Sequence, residues 1–152
     1  MQEVILVAIT PDLWHKFHKS YIVDPAMSDI PYTYNYEKCH KHYISRISDP
    51  KRREFAIMSD SELVGLIGLK RINEESGQAE FGIALVDDSV KGRGFGTRAI
   101  GLLISYAKDE LNLNTILADS VHRNTRSQHV LEKNGFAYTH EDTNFKFYKL
   151  IL

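Results

Sequence analysis

The stretch of sequence that decides the fold is residues 86–99, Val86-Asp87-Asp88-Ser89-Val90-Lys91-Gly92-Arg93-Gly94-Phe95-Gly96-Thr97-Arg98-Ala99. It separates a strand-like apolar run, residues 79–86, from a helical pattern, residues 97–111. Glycines let backbone amides approach a ligand closely, and the first turn of a helix leaves amide donors unpaired at its positive end. A strand, a basic glycine loop and a helix in this order therefore predict a phosphate-binding segment.

The composition is that of a single globular domain over residues 1–152. Hydrophobic residues make up 43% of the chain and the formal net charge is −1, which argues against nucleic acid as a partner. The single cysteine, Cys39, excludes an internal disulfide. No apolar run approaches the roughly 20 residues of a membrane span, and the chain starts without a signal-peptide pattern. We therefore expect a cytoplasmic protein with no membrane partner.

Before the glycine loop, apolar spacing and turn residues predict one strand, two helices and three further strands. The connections between the last three strands are too short for a crossover, so these strands should form an antiparallel meander. A loop that bears several tyrosines should join the two helices. The predicted strands are residues 3–9, 54–58, 63–72 and 79–86, and the helices are residues 13–21 and 37–47.

After the loop, the helix at residues 97–111 leads to a buried-looking strand at residues 115–121, which should lie parallel to its predecessor. Asn124-Thr125 predicts the start of another helix, and Asn134-Gly135 predicts its end. Residues 136–140 and 144–151 should form a closing hairpin. The predicted order is β-α-α-β-β-β-α-β-α-β-β, a mixed architecture with one parallel crossover in the middle.

A dinucleotide-binding fingerprint is one interpretation of the loop. Residues 94–99 fit G-x-G-x-x-A, and Asp119 follows about 20 residues later. A strand of that fold runs almost directly into its first glycine, whereas five residues separate Val86 from Gly92 here. The predicted meander is also unlike the opening of a doubly wound sheet. A glycine-rich turn without a ligand is a further alternative, although it would need fewer glycines and cations.

The loop resembles the acetyl-CoA motif of the GNAT N-acetyltransferases, [Gln/Arg]-x-x-Gly-x-[Gly/Ala], across residues 91–96, with Lys91 in the first position. A second similarity follows at residues 124–136, where Asn-x-x-Ser and Glu-Lys-x-Gly-Phe resemble the branch that includes ribosomal-protein N-terminal acetyltransferases. The resemblance implies an α/β (α+β) GNAT fold. Its central mixed, mostly antiparallel seven-stranded sheet would be splayed between strands 4 and 5 and flanked by about four helices.

In function, the resemblance implies an acyltransferase that moves an acetyl group from acetyl-CoA directly to a primary amine. The acceptor would be a protein N-terminus or a small molecule, and family analogy makes a homodimer plausible. The competing interpretation is a catalytically reduced acyl-CoA-binding sensor or interaction module.

The resemblance also implies which residues bind CoA. The pyrophosphate would lie on the amides of residues 93–97, with Lys91 and Arg93 adding charge unless they are simply solvated. The pantetheine arm would pair with the fourth strand, with the Ala84 and Val86 backbones facing it and the Ala84 amide polarising the thioester carbonyl. The full predicted set is Ala84, Leu85, Val86, Lys91, Gly92, Arg93, Gly94, Phe95, Gly96, Thr97, Asn124 and Ser127.

Three residues are candidates for the chemistry. An amine with a pKa near 10 must lose a proton before it attacks, and Glu80 occupies the position where many family members have a base. The family tyrosine that protonates the CoA thiolate is replaced here by Leu131. Ser127 could instead hydrogen-bond the sulfur, and His122 at the end of the fifth strand has a suitable intrinsic pKa.

Metal ligation has little support in the sequence, because no four-ligand pattern with zinc spacing occurs. The histidines of the first two helices are predicted to lie on helix surfaces, and we expect no metal. The aromatic residues of this region belong either to the core or to an acceptor pocket. The histidines are His15, His18, His40 and His42, beside Cys39, and the aromatic residues are Trp14, Tyr21, Tyr32, Tyr34 and Tyr36. Tyr138 has the same two possible roles.

Overall fold

The computed structural model describes residues 3–152. Its element order is the predicted one, with a short 3-10 helix added before the glycine loop. The strands are β1 (Val4–Ala8), β2 (Arg53–Ser59), β3 (Glu62–Asn73), β4 (Gln78–Leu85), β5 (Thr115–Val121), β6 (Ala137–Glu141) and β7 (Phe145–Ile151). The helices are α1 (Pro11–Ser20), α2 (Tyr36–Ser48), α3 (Phe95–Asp109) and α4 (Thr125–Lys133), and the 3-10 helix spans Asp88–Val90.

All seven strands join one sheet in the order β1-β2-β3-β4-β5-β7-β6. Every neighbouring pair is antiparallel except β4 and β5, which the α3 crossover makes parallel. The seven-stranded, mostly antiparallel sheet and the parallel central pair confirm the predicted fold class.

Helix boundaries follow local capping chemistry. The Thr10 hydroxyl accepts a hydrogen bond from the Leu13 amide at 3.2 Å, and Pro11 begins α1. The Asn124 side chain caps α4 in the same way, at 3.1 Å from the Ser127 amide. α3 begins at Phe95, two residues earlier than predicted, because Gly94 adopts a left-handed conformation that ends the loop.

Two apolar clusters lie on opposite faces of the sheet. The larger is covered by α3 and α4, whose buried stripe includes Ala99, Leu103 and Leu131. The smaller lies under α1 and α2 and contains Trp14 and Phe17. Because side chains alternate along a strand, the residues of β3 and β4 are divided between these faces. The face under α1 and α2 is called the α1–α2 face below.

β4 and β5 separate soon after they meet. They pair only at Gln78–Thr115, Ala79–Ile116 and Glu80–Leu117, and no later pair forms between them within residues 3–152. The pairing begins at Gly77, whose carbonyl accepts from the Asn114 and Thr115 amides at 2.8 and 3.1 Å. The remainder of both strands diverges into an open cleft.

Gly77 should be intolerant of a side chain, because its φ is +70° and a Cβ there would lie 2.8 Å from Asn114 Cγ. We expect Gly77→Ala to lower the free energy of unfolding by at least about 1 kcal/mol, measured by urea denaturation. Gly101→Ala is the matched control, since a Cβ inside α3 at that position meets nothing within 4 Å. It should raise stability by about 0.4–1 kcal/mol. Equal effects of the two substitutions would contradict this account of Gly77.

Candidate active site

The cleft between the diverging strands forms a cavity of about 270 Å³, called the splay cavity below. β4 and β5 provide its walls, the start of α3 and the first turns of α4 close one side, and the α1–α2 connection lies across it. Residues from all the predicted CoA-binding segments line it. Among them are Ala84, Leu85, Lys91, Gly96, Asn124 and Ser127.

The glycine loop leads through two left-handed glycines into the uncapped start of α3. Gly92 and Gly94 have φ angles of +72° and +82°, a region that residues with a side chain rarely adopt. Within residues 3–152, no side chain caps α3, so its first-turn amides at Phe95, Gly96 and Thr97 point away from the helix. The Arg93 and Arg98 guanidinium groups stack on the Phe95 ring, at 4.8 and 5.4 Å from its centroid. The loop is therefore shaped by its glycines and fixed by buried Phe95.

Lys91 has a different environment from the one expected. Its ammonium lies 3.0 Å from both Asp24 Oδ2 and Asp88 Oδ1, and its side chain is only 9% exposed. Burial opposes the charge, but the hydrogen bonds to the two carboxylates outweigh it and raise the pKa of Lys91. The lysine lines the splay cavity while it ties the loop to the α1–α2 connection.

Further contacts hold the α1–α2 connection over the cavity. The Ile22 amide donates to the Val86 carbonyl at 3.0 Å, and Arg123 Nε donates to the Ala26 carbonyl at 3.0 Å. Together with the Lys91–Asp24 ion pair, they hold the connection, residues 21–35, across the splay cavity. This segment is called the strap below.

The backbone register of β4 corrects one expectation. The Val86 amide donates to the Val64 carbonyl at 2.9 Å, and a Cβ on Gly65 would lie 2.6 Å from the Ala84 oxygen. The Ala84 carbonyl and the Val86 amide therefore point towards β3, and the Val86 carbonyl already accepts from Ile22, so these groups are not presented to a ligand in the splay cavity. Backbone direction alternates along a strand, so Ile83 and Leu85 present their amides and carbonyls to the cavity instead.

Two of the predicted CoA-binding residues, Asn124 and Ser127, lie at the α4 end of the splay cavity. The Asn124 side chain is committed as the helix cap, and Ser127 lines the cavity one turn into α4. Leu131, where family members often carry tyrosine, is buried and lines the same wall.

His122 does not line the splay cavity. Its Nε2 donates to the Asp142 carbonyl at 2.8 Å, and its Nδ1 lies 3.8 Å from Glu141 Oε2. The catalytic role of His122 stays a prediction, and its ring is turned towards the β6–β7 connection.

A second cavity of about 260 Å³ lies on the α1–α2 face and is called the α1–α2 cavity below. Its floor contains Gly68 and Gly82, which are cross-strand partners in β3 and β4. Nothing lies within 4 Å of a Cβ built on Gly82. The two cavities share Tyr21, Lys70, Gly82, Ile83 and Ala84, so they meet over the middle of β4.

Three ionisable groups lie in the walls of the two cavities or on β4 beside them. Glu80 Oε2 accepts from Arg71 Nη1 at 2.8 Å, and Glu80 lines neither cavity. Asp119 lines the splay cavity; burial and neighbouring Glu80 raise its pKa, although Lys70 opposes the shift. His18 lines the α1–α2 cavity, and its Nδ1 lies 2.8 Å from the Trp14 carbonyl. A carbonyl only accepts, so Nδ1 carries the proton and Nε2 presents a lone pair.

Burial lowers the pKa of His18 below its ordinary value of 6.5, although its hydrogen bond to the Trp14 carbonyl opposes the shift. The lowered pKa of His18 favours its neutral form in the lining of the α1–α2 cavity. His18 was predicted as a surface histidine, and its one-turn spacing from Trp14 is the only sequence signal for a place in the cavity lining.

Comparison with known proteins agrees with this geometry. A model of the acetyltransferase (GNAT) domain family matches residues 3–137. The chain belongs to the GNAT acetyltransferase family. Among its relatives from Bacillus subtilis, "Probable N-acetyltransferase YjcK" is 35% identical over 96 residues, which cover 62% of this chain and 53% of the relative. "Putative ribosomal N-acetyltransferase YdaF" is 32% identical over 83 residues, covering 55% and 45%. The chain spans about half the length of the curated relatives it matches.

Solved structures share the fold of this GNAT domain. A spermidine N-acetyltransferase from Vibrio cholerae in complex with CoA and spermine superposes with a TM-score of 0.84 at 23% identity, covering 97% of this chain and 95% of that chain. The Campylobacter jejuni N-acetyltransferase PseH has a TM-score of 0.75 at 19% identity, covering 97% of both chains. At these identities the likeness establishes the fold alone.

Neither a candidate metal-binding group nor a candidate membrane-spanning helix occurs within residues 3–152. No group of three or more histidine, cysteine, aspartate or glutamate side chains there could hold a metal ion. No helix there is long and apolar enough to cross a membrane.

His15 corrects the prediction of surface histidines. It is 8% exposed between α1 and α2, with Nδ1 at 2.8 Å from the Tyr34 hydroxyl and Nε2 at 3.0 Å from His40 Nδ1. Its ring also stacks on Tyr36 at 4.5 Å. These contacts join the tyrosine-bearing connection to both helices of the α1–α2 cavity.

The stability of the domain should fall in mild acid because burial, and secondly His40, lowers the pKa of His15 below 6.5. The unfolded chain binds this proton more readily, so stability decreases as pH drops from about 6.5 through the lowered folded-state pKa. His15→Gln should weaken that dependence in urea denaturation between about pH 7.5 and 5. His129→Gln, an exposed α4 control, should keep the wild-type slope. An unchanged slope in His15→Gln would rule out this role.

Proposed function

We propose that this GNAT domain transfers an acetyl group from acetyl-CoA directly to a primary amine. The observation that carries the proposal is the junction of the two cavities over Gly82, Ile83 and Ala84. A thioester in the splay cavity and an amine in the α1–α2 cavity would meet there without either ligand having to cross the sheet. Joining the two substrates at one point makes the reaction effectively unimolecular.

Acetyl-CoA fits the splay cavity by its chemistry. The pyrophosphate would lie on the first-turn amides of α3, where unpaired donors and the helix dipole favour an anion. The pantetheine arm would pair with the open β4 backbone at Ile83 and Leu85, as an added strand does at a sheet edge. Their amides are also the donors available to the thioester oxygen, on which negative charge develops during attack.

The reaction needs a base that accepts a proton from the amine and a group that stabilises the departing CoA thiolate. The amine nitrogen bonds to the acetyl carbon, the carbon–sulfur bond breaks, and the amine gives up one proton. Glu80 and His18 are the two proton acceptors to compare, and the cavity geometry favours His18. Ser127 remains the proposed partner of the departing thiolate, since it lines the splay cavity.

The acceptor is either a small molecule or a protein N-terminus in this proposal. The sensor alternative has one observation in its favour, the buried Leu131 where family members often carry a tyrosine acid. Thiol release from acetyl-CoA across a panel of amines and N-terminal peptides distinguishes an acetyltransferase from a sensor. Saturable CoA binding without transfer to any acceptor would support the sensor. A homodimer and a cytoplasmic location stay predictions.

Gly94→Asp should weaken CoA binding by at least about tenfold, measured by isothermal titration calorimetry. The carboxylate would repel the phosphates at the α3 N-terminus, while aspartate tolerates the left-handed backbone of Gly94. Gly101→Asp places the same side chain in open space within α3 and should leave CoA affinity unchanged. If both variants bind CoA like wild type, the loop does not hold the phosphates. NADH binding to wild type would revive the dinucleotide interpretation.

His18→Gln should lower kcat by about 10²-fold or more and remove the acid limb of the pH profile. The base acts when neutral, and its pKa is lowered, so wild-type kcat/KM should decline only below about pH 6.5. CoA affinity serves as the control and should not change. Glu80→Gln is measured in parallel; if it abolishes the limb and His18→Gln retains it, Glu80 is the base and His18 is not.

A further inference from the structure

The α1–α2 cavity carries an uneven charge. Three cationic side chains line it, Arg46, Arg52 and Lys70, against a single carboxylate, Glu54. Both arginines donate to the same oxygen, Glu54 Oε1, at 3.2 and 3.1 Å. The one acid of the lining is therefore already neutralised, and the cavity keeps a surplus of positive charge.

Carboxylates outside the lining offset part of this surplus, but they do not occupy all the donors of the two arginines. Asp49, which does not line the cavity, lies 3.6 Å from Arg52 Nε. Asp119 interacts with Lys70, but it lines the splay cavity and not the α1–α2 cavity. Each guanidinium has five N–H donors, so one bond to Glu54 leaves Arg46 with further donors for a ligand.

The glycine floor connects this cationic cluster to the reaction junction. Glu54, Gly68 and Gly82 are lateral neighbours across β2, β3 and β4. A Cβ on Gly68 would lie 2.6 Å from Glu54 Oε2, so the glycine makes room for the buried carboxylate and its two arginines. Two interstrand spacings, about 10 Å, separate the Glu54 and Gly82 backbones. A ligand with its amine at the junction would extend its other end over the glycines towards Arg46 and Arg52.

We propose that the acceptor is a primary amine whose molecule also carries a carboxylate or phosphate group, which Arg46 and Arg52 bind. The inference rests on the proposed acetyl transfer and names its substrate class. Guanidinium groups match the planar, bidentate geometry of such anions, and partial burial strengthens the contact. The Arg46 and Arg52 side chains are 32% and 24% exposed, so they remain within reach of a ligand. A polyamine would meet repulsion at the same place.

Matched acceptors test the proposal directly. Acetyl transfer is measured for 6-aminohexanoate and 6-aminohexyl phosphate against hexylamine, which has the same amine without the anion, and against spermidine. Two peptides that differ only in having aspartate or asparagine at the second position are also compared. Their acetylation shows whether a protein N-terminus with a nearby carboxylate is an acceptor, or only a small molecule. We expect kcat/KM for an anionic acceptor to exceed that for its neutral analogue by about tenfold or more, the effect of one charge-assisted bond pair.

Variants assign the preference to the arginines. Arg46→Gln and Arg52→Gln should each reduce the anionic-to-neutral ratio of kcat/KM about tenfold. Arg46→Lys should restore part of the ratio. Lys41→Gln removes one positive charge from an exposed position on the same helix and should leave the ratio unchanged. Thermal unfolding of each variant checks that the helices remain packed.

The outcomes distinguish the two proposals. Efficient transfer to spermidine or hexylamine with no gain for anionic acceptors would overturn this inference and leave the acetyltransferase proposal standing. A gain that persists equally in the Arg46, Arg52 and Lys41 variants would also overturn it. CoA binding without transfer to any acceptor would overturn the proposed function itself, and this inference with it.

Discussion

The separation of β4 from β5 after three paired residues is the constraint on which the rest of the site depends. Parallel strands normally continue their hydrogen bonding, so a cleft between them leaves backbone donors and acceptors open. Gly77 starts the pairing by accepting two amides at once, and the α3 crossover returns the chain on the far side. The open β4 backbone is consequently the place where an extended ligand can be held, with the glycine loop at one end of it.

Charge and packing keep this cleft in one shape. The Lys91 ammonium joins Asp24 in the α1–α2 connection to Asp88 beside the glycine loop, so the strap and the loop are fixed relative to each other. A cation shared between two carboxylates and largely shielded from water interacts more strongly than an exposed surface pair. The lysine of the loop motif thus has a structural task beside any contact with a ligand. A substitution there would disturb the geometry of the cavity as well as its charge.

Much of the fold follows from periodicity and turn chemistry in the sequence. The alternation of apolar residues and the short connections were enough to predict the meander, and the intervening helix was enough to predict the parallel pair. The direction of the backbone amides and carbonyls of β4 was harder to predict. A shift of one residue along the strand puts the backbone groups of Ile83 at the cleft in place of those of Ala84. The sequence of one strand does not show which of its residues direct their amides and carbonyls towards which neighbouring strand. His15 was misassigned for a similar reason, since its burial comes from α2 and residues 34–36 and not from its own helix.

The α1–α2 cavity shows why the donor side of such a site can be read from sequence and the acceptor side cannot. Phosphate recognition uses backbone amides, which need glycines at fixed spacing and so leave a local motif. The proposed acceptor side consists of Arg46 in α2, Glu54 in β2 and the Gly68–Gly82 pair, which are far apart in the chain. Only the sheet register brings the glycines together beneath the ion cluster. Because each group is a common surface or strand residue by itself, acceptor specificity can change through single substitutions without altering the donor motif.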